Sequence, residues 1–104
     1  MQVPSTVTKQ PQINAAVAEV LRELAPAVQQ IRYEIAPDWT GQLAVFFRVL
    51  LSDEASSGKN RRDVGPRVIW GLSDKLDLPT LGMFPYFEFR SQSEQAKANE
   101  PDWA

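Results

Sequence analysis

The chain is expected to be an α+β domain, a two-layer sandwich whose helices cover one face of a three-stranded, mainly antiparallel sheet. Three observations lead there. Apolar residues between Ile13 and Leu24 recur at helical spacing, at Ile13, Ala16, Val17, Val20, Leu21 and Leu24. Three later stretches alternate as strands do: 31–35, 43–51 and 84–90. A second helical stripe, Val68, Ile69, Leu72 and Leu76, lies between the last two strands. The expected order is α-β-β-α-β-α. Three strands with one bare apolar face are unstable, so the helices must pack on that face.

Met1–Gln10 is polar and carries Pro4, which reads as an N-terminal arm over residues 1–10. Pro11 fits the first position of a helix, because its missing amide would be unpaired there anyway. Pro26 should end or kink that helix, and 27–30 would add one turn. Ile31, Tyr33 and Ile35 alternate with Arg32 and Glu34 as a short half-buried strand. A turn of six or seven residues containing Asp38, Trp39 and Gly41 leads into Leu43–Leu51. That strand puts Val45, Phe47 and Val49 on one face, and Ala44, Phe46, Arg48 and Leu50 on the other. Residues 52–59 read as a loop. Asn60 and Asp63 resemble a helix start, but Gly65-Pro66 interrupts it, so the firm helix runs from Pro66 to Leu76. Ser93 and Glu94 open a short helix to Ala98. The single domain thus spans 11–98, with a tail at 99–104 that docks if Trp103 is ordered.

Phe84–Arg90 holds four aromatics in seven residues. Pro85 places it at a strand start, at a bulge or on a sheet edge. Phe87 and Phe89 point toward the core, while Tyr86, Glu88 and Arg90 point away. Joined by Phe46 and Arg48, they make a second face that is charged and aromatic at once. Tyr, Phe and Arg are good interface anchors. The expected interaction residues are therefore Phe46, Arg48, Tyr86, Glu88, Arg90 and Trp103. They point to a small cytoplasmic protein-interaction or regulatory domain without catalytic activity, docking on a protein partner or forming a homodimer.

Composition narrows the chemistry. With 104 residues and 43% hydrophobic content, the chain can build one modest core. It has no Cys and no His, which removes disulfides, thiol nucleophiles, imidazole bases and the usual zinc ligands. Thirteen acids against eleven bases give a net charge of −2, which disfavours wrapping duplex DNA. A local basic cluster remains, Lys59, Arg61, Arg62 and Arg67. Beside Tyr86 and Phe46 it would suit RNA or other single-stranded nucleic acid. A third reading places a metal-dependent phosphodiesterase site on Asp53 and Glu88, with Asp38 a further carboxylate. It needs these groups to converge. No cofactor is expected, since no phosphate-cradling glycine pattern is present. The start lacks a basic segment followed by an apolar one, and no apolar run reaches the ~20 residues of a membrane helix. A cytoplasmic location without membrane contact is the expectation.

Overall fold

The computed structural model describes residues 5–98, with side chains from residue 10 onward. The elements run α1 (Ser5–Leu24), β1 (Val28–Pro37), β2 (Leu43–Leu51), α2 (Gly58–Lys75), β3 (Phe84–Ser91) and α3 (Gln92–Ala98). This is the α+β class and the element order expected. The strands lie in the order β1-β2-β3. β1 and β2 form the longer, antiparallel ladder, and β3 joins β2 in parallel through the α2 crossover. The hairpin turn is tighter than expected, covering 38–42.

β2 is the central strand, paired on both sides, and it supplies most of the sheet's buried surface. Val45, Phe47, Val49 and Leu51 are almost fully excluded from water. Ile13, Ala16 and Val20 of α1 and Val68 and Leu72 of α2 pack on them. Phe47 stacks on Phe87 with ring centroids 5.1 Å apart. Phe87 and Phe89 do face this core, but only half-buried, because β3 is an edge strand. Tyr33 also faces the core, and its hydroxyl donates to Asn14 Oδ1 of α1. The two helices approach closely at Gly71, where an added Cβ would lie 3.1 Å from Val20.

Several boundaries differ from the sequence reading, for physical reasons. α1 begins at Ser5 and carries Pro11 inside it, so 5–10 is helix rather than arm. α2 likewise runs unbroken through Gly65-Pro66. Both prolines lie on solvent-facing positions, so the carbonyl that each leaves without an amide donor lies on the wet side of its helix. Gly65 has no Cβ to collide with the Pro66 ring, which lifts the usual restriction on the preceding residue. After the cis Ala25–Pro26 bond the chain enters β1 at Val28, and the extra turn over 27–30 is absent. At the other end, Ser91 and Glu94 form a reciprocal capping box. Glu94 N–H donates to Ser91 Oγ and Ser91 N–H donates to Glu94 Oε1, both at 3.1 Å. The start of the arm, residues 1–4, and the tail at 99–104 with Trp103 lie outside the described residues. No helix among the described residues is long and apolar enough to cross a membrane.

Candidate functional site

The sheet face turned away from α1 and α2 is built by strand alternation, and the register aligns it in rows. Ala36, Ala44 and Phe84 form one row, then Glu34, Phe46 and Tyr86, then Arg32, Arg48 and Glu88, then Gln30, Leu50 and Arg90. One end is therefore aromatic and the other charged. Phe46, Arg48, Tyr86 and Glu88 meet around a single shallow depression. Four of the six expected interaction residues are thus brought together. Arg90 sits at the far end, where its Nη1 donates to Gln95 Oε1 of α3 at 3.0 Å.

The aromatic end is ordered by contacts among its own members. Tyr86 stacks on Phe46 at 5.2 Å with rings nearly parallel, and Trp39 lies tilted against Tyr86 at 5.4 Å. The Tyr86 hydroxyl donates to Asp38 Oδ2 at 2.8 Å. Asp38 Oδ1 accepts from Thr40 N–H, Thr40 Oγ1 and Gln42 N–H, which fixes the β1–β2 turn. The Thr40 hydroxyl, with Tyr86 and the two amides, holds the Asp38 carboxyl below the usual carboxylate range. Its carboxylate in turn raises the Tyr86 phenol above its ordinary value, with burial adding to the effect. Tyr86 thereby has a structural task, tying the hairpin turn to β3. Trp39 keeps most of its free surface in water and Phe84 about half, 81% and 49% exposed.

At the charged end Arg48 pairs diagonally with Glu34 at 3.1 Å, rather than with Glu88. Glu88 is exposed and makes no ion pair among the described residues.

The three carboxylates considered for a metal do not converge. Asp38 and Asp53 flank opposite ends of β2, roughly 27 Å of strand apart. Asp53 accepts from Ser93 N–H at 2.9 Å and from Ser93 Oγ at 2.6 Å, which docks the start of α3 and holds its pKa down. Among the described residues no group of three or more His, Cys, Asp or Glu is arranged to hold a metal. The phosphodiesterase reading gains no support from this arrangement.

The basic cluster lies across the molecule from Phe46 and Tyr86, because α2 covers the opposite face of the sheet. Lys59, Arg62 and Arg67 are exposed on the outer side of α2. Arg61 turns toward the sheet, with its Nη2 3.5 Å from the Phe89 carbonyl. The pairing of these cations with Tyr86 and Phe46 expected from the sequence is therefore absent. The exposed aromatic beside them is Trp70 of the same helix.

Three exposed aromatics escaped the sequence reading as site residues. Phe84 was signalled by the same alternation that exposes Tyr86. Trp70 was signalled by its position off the apolar stripe of α2. Trp39 carried no such signal, since a turn residue has no periodicity to orient it. Compared with family models, curated proteins and solved structures, the chain matches none.

Proposed function

We propose that the chain is a non-catalytic protein-interaction module that docks, through the open face of its sheet, on a second copy of itself. The observation that carries this reading is the aromatic end of the face, exposed Trp39 and Phe84 with half-buried Tyr86 and Phe46, left open by the described residues beside Arg48 and Glu88. Aromatic anchors next to charges of both signs suit an isologous contact, in which one patch meets itself about a two-fold axis. Arg32, Arg48 and Arg90 share the face with Glu34 and Glu88, so each copy offers the other both charges.

The size of the face sets the strength. Three strands about 4.8 Å apart and eight residues rising about 3.3 Å each give roughly 14 by 26 Å in plan. That is under the ~800 Å² per partner of a standard complex. The dimer is accordingly weak and concentration-dependent. Light scattering across the micromolar range should show mass rising toward twice the monomer. Trp39→Ser with Phe84→Ser should weaken this at least about tenfold without unfolding the chain, since both side chains are surface groups. A chain that stays monomeric at the highest attainable concentration would sink the proposal, as would undiminished dimerisation of the double variant.

A further inference from the structure

The outer side of α2 forms a second surface, independent of the open sheet face. Lys59, Arg62, Pro66 and Trp70 follow one another at spacings of three, four and four residues, which places them in one stripe along the helix. Arg67 sits one turn before Trp70 on its flank. All five are exposed, and Trp70 is 74% so. Among the described residues Lys59, Arg62 and Arg67 make no ion pair, although Asp63 and Asp74 lie on the same side of the helix.

Folding alone does not account for this stripe. The first turn of α2 contains no acid, and its N-cap Ser57 makes no side-chain cap bond. Cations there oppose the positive end of the helix dipole. A tryptophan left in water forgoes the burial that favours it elsewhere. Beside it a groove follows the seam between α1 and α2, lined by Glu23, Leu24, Arg67, Trp70, Gly71 and Asp74. The combination is a short track of exposed cations, a flat aromatic platform, and an indentation beside it.

We propose that this face of α2 binds single-stranded nucleic acid, with Lys59, Arg62 and Arg67 on backbone phosphates and Trp70 stacked on a base. Phosphates complement the cations, and bases supply the planar partner that Trp70 lacks among the described residues. A duplex hides its base faces and offers Trp70 nothing to stack on. Three phosphate contacts to a single strand give a salt slope near −2, so an about fourfold rise in salt weakens binding roughly 20-fold.

Fluorescence anisotropy with labelled oligouridylate and oligodeoxythymidylate at low salt tests this on the full chain. Binding with that slope is expected. Trp70→Ala should weaken it about tenfold, and Arg62→Ala with Arg67→Ala should weaken it and flatten the slope by about 1.4. Arg22→Ala with Lys97→Ala, at exposed positions of α1 and α3, removes the same charge and should change little. Circular dichroism of each variant checks that the helices persist, and Trp70→Phe, which keeps a ring, should retain part of the affinity. Absence of binding at low salt overturns the proposal. So does binding that Trp70→Ala leaves intact, or equal affinity for a duplex of the same length. Binding to anionic phosphatidylserine vesicles with none to the oligonucleotides would reassign the surface to membranes and overturn it too.

Discussion

The uninterrupted course of α2 through Gly65-Pro66 yields a prediction that separates local sterics from packing. Proline in a helix interior is about 3 kcal/mol less favourable than alanine. Restoring the chain's unfolded-state freedom takes back about 0.4–1 kcal/mol. Pro66→Ala should therefore stabilise the fold by about 2 kcal/mol, and α2 should remain helical. Gly65→Ala would ordinarily gain about 1 kcal/mol in a helix. An added Cβ at Gly65 meets no tertiary obstacle, since its nearest neighbour is Phe89 Cζ at 4.0 Å. The obstacle is the proline ring, which disfavours a helical residue with a Cβ just before it. Gly65→Ala should therefore be neutral or destabilising with Pro66 in place. Combined with Pro66→Ala, the same substitution should stabilise by about 1 kcal/mol. Urea denaturation of the four proteins measures this as a coupling of at least about 1 kcal/mol, above the roughly 0.3–0.5 kcal/mol scatter of independent sites. Additive effects would refute the steric argument and place the helical tolerance of Pro66 elsewhere.

Other variants probe the remaining joints. Gly71→Ala should destabilise by about 1 kcal/mol despite its better helix propensity, because Val20 lies 3.1 Å from the new Cβ and has little rotamer freedom. Phe47→Ala, which empties the centre of the core, should cost about 3–5 kcal/mol in the same urea assay. Ser91→Ala should cost about 1 kcal/mol and lower the protection of α3 amides in hydrogen exchange. Asp38, Asp53 and Glu94 all have pKa values held below the ordinary range. The unfolded chain then binds more protons as pH falls, so their contribution is complete above about pH 4 and is lost as pH drops through the folded values. Thermal melts should fall over that window, less so in Asp53→Asn. Tyr86 has the opposite sign: its raised pKa stabilises below about pH 10 and the contribution is lost as pH rises through the folded value. Tyr86→Phe should blunt the alkaline decline and leave the share due to Tyr33, whose pKa burial also raises.

The architecture was legible because periodicity is a local signal. The Leu43–Leu51 alternation defines β2 with its bounds and both faces, and the Phe84–Arg90 alternation does the same for β3 to within one residue. Proline misled at Pro11 and Pro66, where burial rather than residue type decides. A proline on the wet side of a helix costs one hydrogen bond, and neither its sequence neighbours nor its spacing reveals which side that is. The open face was half legible. Phe46, Arg48, Tyr86 and Glu88 follow from alternation once register is known. The Asp38–Tyr86 bond joins residues 48 apart and depends on β3 pairing in parallel with β2, which no local pattern encodes. For the same reason no local pattern separates Lys59, Arg61, Arg62 and Arg67 from Phe46 and Tyr86. The crossover carries the cations to the other side of the sheet, and Trp70 was their neighbour all along.

That separation makes the two proposed surfaces independent in a way that can be measured. The sheet lies between them: Trp39, Phe84 and Tyr86 on one side, Trp70 with its cations on the other. A partner on the open face covers none of the outer surface of α2. If both proposals hold, one chain can carry a protein contact and a single strand at once, and a dimer presents two basic stripes facing outward. Linking two weak sites raises the apparent affinity for a strand long enough to reach both, while short oligonucleotides gain nothing. Trp39→Ser with Phe84→Ser should then reduce affinity for long single strands and leave short ones unaffected. Equal loss on both lengths would mean that the open face touches the strand itself, and a loss on neither would mean that the two surfaces act alone.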